Sequence, residues 1–225
     1  MVKLKTKNIC VTIIILTFIV IIFTYVFRTN DMSTMFITSS QREEITMKKA
    51  ISIAYLKAKE LSSDVRLHKI ISTDAMDKSS EKSGEDGTRR VWNVFFTDTK
   101  SNSEYNIFVI NGEAEIKDYR NEGYKKGIND SDIKIDSTDA IKIAKEQKGL
   151  NPGVSGKDWA VGYHFKLDYV SFYEMPDKEF LAIEVFGISP KGNFAHVDID
   201  ATSGKIIYSG EKTYDEKGEG IWSTF

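Results

Sequence analysis

Hydrophobic and polar positions follow two different periods along this chain of 225 residues. From Ser40 to Leu61, and again over residues 137–149, apolar residues recur mostly at three- and four-residue spacing, which predicts two amphipathic helices. Elsewhere apolar and polar residues alternate, most strictly over residues 159–169, and this shorter period predicts strands with one buried face. The predicted strands are residues 66–73, 90–97, 104–110 and 113–119 after the first helix, and 159–169, 179–187, 193–199 and 205–209 after the second.

Both predicted helices carry residues that favour a helix boundary. Ser39 or Ser40 is a predicted N-cap of the first helix, with Glu43 completing a capping box. The second helix is predicted to begin at residues 137–139 and to end at Gly149. We expect the apolar stripe of the first helix to lie on a sheet. That stripe consists of Ile45, Ala50, Ile53, Ala54, Leu56 and Leu61.

The order of helix, strands and tight turn occurs twice along the chain. In the first copy the turn is Asn111-Gly112, and in the second it spans residues 200–204. A repeat of this kind predicts two copies of one small module, which argues against an enzyme. The matched pairs are Ala50 with Ala140, Trp92 with Ala182, Gly112 with Gly204 and Ile116 with Ile206, at separations of 90, 90, 92 and 90 residues.

Polar segments separate and follow these two copies. Residues 76–88 are dominated by Lys, Ser, Glu, Asp and Gly, which predicts a solvated hairpin loop with little order. Residues 121–136 are polar and contain glycine, so we interpret them as a linker. The tail from residue 213 is polar until Ile221 and Trp222.

The N-terminal segment predicts a membrane anchor. Residues 9–27 are 19 residues without a charge or a proline, which is long enough to span a bilayer as a helix. Three lysines precede this segment, so the positive-inside rule places the N-terminus in the cytoplasm and the rest of the chain outside. A cleaved signal peptide is the alternative, but residues 28–32 offer no small-residue cleavage site.

Cysteine usage and charge exclude some classes of fold and partner. Cys10 is the only cysteine and lies at the cytoplasmic edge of the predicted span, so the external part contains no internal disulfide. The 31 basic and 33 acidic residues form no basic stripe with interleaved aromatic residues. We therefore predict no nucleic-acid partner.

The histidines and the acidic residues do not follow known ligand spacings. His68, His164 and His196 form no His-x-x-x-His pair, so we interpret each as a surface or partly hydrogen-bonded residue of a strand. Residues 130–136 resemble the start of a calcium loop, but the glycine and the closing glutamate of such a loop are missing from the sequence. We therefore predict no metal ligand and no cofactor.

A pair of aspartates near the end of the second copy has two interpretations. Asp198 and Asp200 share one face of a predicted strand and could resemble a catalytic pair. We favour turn chemistry instead, because an aspartate shortly before Gly204 bonds the N–H groups of its own turn. The sequence also lacks a Gly-x-Ser-x-Gly elbow and a glycine-rich phosphate loop. We therefore predict no catalytic residue.

An aromatic cluster is the remaining candidate for a binding site. Interfaces are enriched in tyrosine and tryptophan, so a protein partner could dock on this cluster. Packing in the core is the alternative, because half of these positions fall on the core-facing period. The predicted partner-binding residues are Tyr163, His164, Tyr169, Phe172 and Tyr173.

Three features together resemble the PepSY family: the helix at residues 139–144, the strand containing Trp159, and the hairpin at residues 197–206. The hairpin, Val-Asp-Ile-Asp-Ala-Thr-Ser-Gly-Lys-Ile, is similar to the family pattern but has one more residue in its turn. The second copy carries the resemblance, and the first copy lacks the Asp-Ala of the turn. The resemblance implies a non-enzymatic unit with a helix laid across an antiparallel sheet. Such units occur in propeptides of thermolysin-like metallopeptidases, where they are linked to peptidase inhibition, and in membrane-anchored envelope proteins of bacteria.

The predicted fold class is therefore α+β. We expect an N-terminal transmembrane helix followed by two cystatin-like modules, each a helix packed on an antiparallel sheet. The predicted divisions are 1–28 for the cytoplasmic tip and anchor, 29–39 for a stalk, 40–120 for a degenerate module, 121–136 for the linker, 137–212 for the second module and 213–225 for the tail.

These features predict a single-pass protein of the cell membrane with its modules outside the cytoplasm. We expect it to bind an envelope protein or peptide and so to restrain or position an envelope peptidase or cell-wall enzyme. The alternative is a structural or sensory scaffold that binds cell-wall polymer or a membrane complex. The sequence leaves the oligomeric state open.

Overall fold

The computed structural model describes residues 43–73, 81–98, 100–120, 125–155, 160–172 and 175–225. The predicted membrane span at 9–27 and the stalk at 29–39 lie outside these residues, as do Ser39, Ser40, Trp159 and Tyr173. Within the described part of the chain, no helix is both long enough and apolar enough to cross a membrane.

The described residues form helices, strands and one short 3-10 helix in an order close to the predicted one. A turn of 3-10 helix at Asp130–Asp132 precedes the second helix. The helices are α1 (Met47–Lys59) and α2 (Ser137–Lys148), and the strands are β1 (Ile45–Thr46), β2 (Val65–Ser72), β3 (Thr88–Arg89), β4 (Val91–Asp98), β5 (Ser103–Ile110), β6 (Glu113–Arg120), β7 (His164–Phe172), β8 (Met175–Ile188), β9 (Phe194–Asp200), β10 (Ile206–Tyr214) and β11 (Gly220–Thr224).

One continuous antiparallel sheet of nine described strands contains both predicted copies, in the order β11-β10-β9-β8-β7-β2-β4-β5-β6. Helix α1 packs on β2, β4, β5 and β6, whereas α2 packs on β8 and β9. The two groups meet where β2 pairs with β7, through Ile70 opposite Leu167 and Ile71 opposite Lys166. The predicted mixture of helix and antiparallel sheet is therefore confirmed. The presence of two copies of one module stays a prediction.

The N-terminus of α1 differs from the prediction. Its N-cap is Thr46, because Ile45 and Thr46 pair with β3 and hold the preceding chain in extended form. Ile51 is buried against the sheet, whereas Leu56 is 71% exposed. The predicted stripe was therefore wrong at Leu56, which it placed near its edge, and at Leu61, which is exposed and follows the end of the helix. The helix buries small residues that allow it to lie close to the strands. The buried residues of α1 are Met47, Ala50, Ile51, Ala54 and Ala58.

Helix α2 begins and ends where the sequence predicts. Asp136 caps its first turn and forms a capping box with Asp139. Gly149 adopts a left-handed conformation with φ of 64° and ends the helix. The two helix N-termini also meet, because the backbone N–H of Met47 donates to the Ser137 hydroxyl at 2.9 Å.

Three segments predicted to be polar connections are packed parts of the fold. Within the described part of the 76–88 loop, the Ser83 carbonyl accepts a hydrogen bond from the backbone N–H of Tyr163 at 2.9 Å. In the predicted linker, Ile128 and Ile133 are buried in the core. In the predicted tail, residues 220–224 form β11 and pair with β10. The first two segments are held by backbone pairing with parts of the chain that are distant in sequence, and the tail is held by a hairpin with the preceding strand β10.

Candidate functional site

The face of the sheet opposite α2 carries a group of charged residues in the middle of strands β7, β8 and β9. Val185 and Val197 point into the core on the helix side and are fully buried. Because side chains alternate along a strand, Glu184 and Asp198 face the other side. These two acidic residues are directly opposite each other in the register of β8 and β9.

Five charged or titratable side chains are in contact on this face. Nδ1 of His196 lies 2.7 Å from Oδ1 of Asp198. The Lys166 ammonium donates to Oε1 of Glu184 at 2.6 Å, and it lies 3.5 Å from Oδ2 of Asp168. Ligand-type atoms of Glu184, His196 and Asp198 all lie within 4.8 Å of one another. We call these three residues the acidic–histidine cluster.

The charges of this cluster are largely removed from water. Asp198 is 2% exposed and Glu184 is 8% exposed. Burial raises the pKa of Glu184 and is only partly offset by Lys166, while the Asp198 carboxylate raises it further. Burial lowers the pKa of Lys166, but Glu184 and then Asp168 outweigh it, so the pKa of the ammonium is raised. A positive charge at this position is therefore favoured by its surroundings.

Aromatic side chains surround the cluster and form the wall of a pocket. The His196 ring lies 5.0 Å from the Trp222 ring in an edge-on arrangement and 5.5 Å from the Tyr208 ring. The Phe172 ring lies 5.3 Å from that of Tyr208. The resulting pocket has a volume of about 430 Å³. It combines a charged floor with apolar walls, which is the composition of many ligand sites. Its lining residues are Lys166, Val170, Ser171, Phe172, Glu184, His196, Asp198, Tyr208 and Trp222.

The edge strand β11 lies beside this pocket. It is the outermost described strand on its side of the sheet and is exposed along its whole length. Ile221 is 49% exposed and Trp222 is 45% exposed. The sequence of β11, Gly-Ile-Trp-Ser-Thr, contains no charge, whereas β6 at the other edge contains five charged residues: Glu113, Glu115, Lys117, Asp118 and Arg120.

A second concave surface lies between α1 and the segment that follows β6. It is a cleft of about 250 Å³, and Ile51, Tyr55, Leu56 and Ile133 provide apolar lining. The exposed Leu56 side chain stands at its border. The cleft provides an alternative apolar contact surface, distant along the sheet from β11.

Two of the predicted partner-binding residues are buried in the fold. The Tyr163 hydroxyl donates to the Leu150 carbonyl at 3.0 Å, and burial raises the pKa of this phenol to about 12. Nδ1 of His164 contacts the Ser72 hydroxyl at 3.0 Å. The burial of both residues agrees with the alternative interpretation, packing in the core.

The remaining predicted residues do not form one surface with these two. Tyr169 packs against the core and carries the Lys126 ammonium 3.7 Å from its ring centre, whereas Phe172 lines the pocket. Strand β7 spans about 26 Å between His164 and Phe172 at about 3.3 Å per residue. Tyr173 lies outside the described residues. A partner contact through these residues stays a prediction, with Phe172 the one placed at the pocket.

The two aspartates of the second copy have different roles. Oδ1 of Asp200 accepts from the backbone N–H of Thr202 at 3.1 Å and from that of Ser203 at 2.6 Å. Turn chemistry is therefore confirmed for Asp200. For Asp198 it is wrong, because this side chain is buried against His196. The sequence contained one sign that the acidic residues Glu184 and Asp198 lie in the middle of strands. Each stands between two β-branched residues, in Ile183-Glu184-Val185 and Val197-Asp198-Ile199.

Comparison with known proteins finds a similarity in the second half of the chain. The model of the family described as "Peptidase propeptide and YPEB domain", PepSY, matches residues 134–209. No curated protein matches the sequence. A crystal structure of a candidate lipoprotein from Clostridium difficile 630 is similar to this chain with a TM-score of 0.46 and 13% sequence identity, covering 71% of this chain and 91% of that chain.

Proposed function

Because residues 134–209 of this chain match the PepSY family model, we propose that the protein is a binding module rather than an enzyme. It binds an extended segment of an extracytoplasmic envelope protein and so restrains or positions a peptidase or a cell-wall enzyme. Residues 9–27 anchor it in the membrane, with the described part outside the cytoplasm. The family supports the general role, since PepSY domains are linked to peptidase regulation and propeptide-like binding.

The exposed edge strand β11 is the observation that carries this proposal. An extended peptide can add to a sheet edge, where main-chain hydrogen bonds supply affinity and alternate side chains supply specificity. Edges that must stay free of other strands usually carry charges. Strand β6 follows that rule with five charged residues, whereas β11 has none. An added strand beside β11 would also place side chains near Trp222 and the pocket.

Crosslinking tests this proposal in the native membrane. A photo-reactive residue at Ile221 of the full-length chain captures neighbouring proteins, and mass spectrometry identifies them. We expect an envelope peptidase or cell-wall enzyme, with capture lost when Ser223→Lys places a charge on the edge. Ser155→Lys is the matched control, because Ser155 is exposed in a loop outside the sheet, and it is expected to leave capture intact.

Hydrogen exchange separates strand addition from other modes of contact. With the captured partner added, the backbone N–H groups of β11 should exchange more slowly, while those of β6 should not change. Loss of binding with Leu56→Asp but not with Ser223→Lys would move the contact to the α1 cleft. If the photo-reactive residue at Ile221 captures no protein, while one placed within residues 9–27 captures division or transport proteins, the proposal is overturned in favour of the scaffold.

A further inference from the structure

We propose that the acidic–histidine cluster of Glu184, His196 and Asp198 binds a divalent transition-metal ion of the zinc type. Two carboxylates and one imidazole are ligands that Zn²⁺ accepts. The imidazole favours this class over calcium and magnesium, which prefer sites made of oxygen atoms alone. This inference goes beyond the proposed function, and the edge strand β11 does not depend on it.

The geometry of the three side chains carries the proposal. Their ligand-type atoms lie within 4.8 Å of one another. Ligands bound to one zinc ion at about 2.0–2.2 Å lie about 3.3 Å apart in a tetrahedral site. The Nδ1–Oδ1 distance of 2.7 Å between His196 and Asp198 already shows how closely two of them approach. When an ion binds, the His196–Asp198 hydrogen bond is replaced by two bonds to the ion, the two side chains separate slightly, and the Glu184 side chain turns to supply the third ligand.

The fold fixes the backbone positions of two of the ligands. Glu184 and Asp198 are directly opposite each other on β8 and β9, and their neighbours along each strand are fully buried. The His196 ring is packed between the rings of Phe186, Tyr208 and Trp222. Such packing limits the orientations of the imidazole and reduces the entropy lost when an ion binds.

When no metal ion is bound, the Lys166 ammonium is the positive charge that pairs with Glu184. Its ammonium binds Glu184 at 2.6 Å and has a second carboxylate, Asp168, at 3.5 Å. When an ion takes Glu184, Lys166 keeps a partner by shifting to Asp168. The ammonium therefore competes with the metal ion for one ligand without blocking the site.

The three protein ligands leave a coordination position open on the pocket side. The pocket of about 430 Å³ has room for a water molecule or for a group of a bound partner at that position. Three protein ligands and one open position is the usual arrangement of zinc sites that exchange a ligand. The site thus suits a metal ion that a partner helps to hold.

Titration with zinc chloride tests the site on the full-length chain in detergent micelles, without an affinity tag. Calorimetry should show one equivalent bound, and X-ray absorption should show nitrogen and oxygen ligands at about 2.0–2.1 Å. His196→Ala and Asp198→Asn should each weaken binding more than about 100-fold, since even loss of an outer-shell partner costs about 10–100-fold. Lys166→Met should strengthen binding, because it removes the competing cation.

Control variants distinguish this site from other zinc ligands. His68→Ala and Cys10→Ser change residues outside the cluster and should leave the affinity unchanged. Circular dichroism and the melting temperature of each variant without zinc show whether it folds. A gain in zinc affinity with Lys166→Met cannot be explained by loss of folding. Two results would overturn the proposal. One is that binding does not saturate below about 1 mM zinc, which corresponds to a binding free energy weaker than about −4 kcal/mol. The other is that His196→Ala and Asp198→Asn bind zinc as tightly as the original protein.

Discussion

Glu211 on β10 is a buried carboxylate that is stabilised by one salt bridge and two hydrogen bonds from neutral side chains. Its oxygens accept from the Lys191 ammonium at 2.7 Å, the Asn193 amide at 3.0 Å and the Ser189 hydroxyl at 2.7 Å. These bonds, Lys191 first, lower the pKa of Glu211 from its ordinary value of 4.5 to about 2. The ionised form is therefore the one that the folded protein prefers.

The lowered pKa of Glu211 predicts a pH dependence of stability. The carboxylate stabilises the folded state fully above its unfolded pKa of 4.5, and this contribution is lost as the pH falls towards about 2. Glu211→Gln should therefore lower the melting temperature at pH 7, and the difference from the original protein should shrink between pH 4.5 and 2. Thermal unfolding across that range measures it.

A nearby exposed glutamate provides the control for this prediction. Glu216 lies exposed in the turn between β10 and β11, so Glu216→Gln should change the melting temperature little at any pH in the range. If the difference in melting temperature between Glu211→Gln and the original protein stayed constant from pH 7 to 2, the charge of Glu211 would not be the source of the stabilisation.

At the scale of secondary-structure elements, Asp136 joins the starts of the two helices. Its Oδ1 accepts from the backbone N–H of Ser137 at 2.7 Å and from that of Lys48, in α1, at 3.0 Å. Both helix N-termini carry partial positive charge, which a carboxylate stabilises. One side chain thus satisfies donors in two helices that are 90 residues apart in the sequence.

Removal of this shared cap should cost more than removal of a single one. Asp136→Ala is expected to lower the free energy of unfolding by about 2–3 kcal/mol, because loss of one N-cap costs about 0.5–2 kcal/mol. Thr46→Ala, which removes one hydrogen bond to the first turn of α1 and none to α2, should cost about 1 kcal/mol. Urea unfolding of both variants measures the difference, and equal losses would show that Asp136 acts on α2 alone.

Local chemistry explains which elements could be predicted from the sequence. Helix α2 was predictable because Asp139, in its first turn, and Gly149, directly after its last residue, mark its ends through local contacts. The start of α1 was not, because Thr46 becomes the cap only when β1 pairs with β3, more than 40 residues later. Strand β11 was missed since Ile221 and Trp222 alone form too short a pattern.

The candidate site depends even more on distant pairing. Glu184 and Asp198 come together through the register of β8 and β9, and a shift of one residue would turn either side chain to the opposite face. Lys166 reaches the cluster from β7. Each residue was visible as a charge within a strand, but the spacing along the chain matched no known ligand motif.

At the scale of the whole molecule, Ser72 lies at the junction of the two halves of the sheet. Its hydroxyl accepts from the backbone N–H of Phe165 at 3.0 Å and contacts Nδ1 of His164 at 3.0 Å. Direct strand pairing across this junction is short, with two residue pairs between β2 and β7. The described part from Glu43 to Phe225 nevertheless forms one compact unit.

A shared junction of this kind predicts that both halves unfold in one transition. Trp92 is buried in the first half and Trp222 lies in the second, so variants that keep only one tryptophan report on each half separately. Both should show the same midpoint in urea. Ser72→Ala should lower both urea midpoints together. We expect the free energy of unfolding to fall by about 1–3 kcal/mol, because the buried N–H of Phe165 loses its acceptor. Two separate midpoints would instead show that each half is stable alone and that the junction only links them.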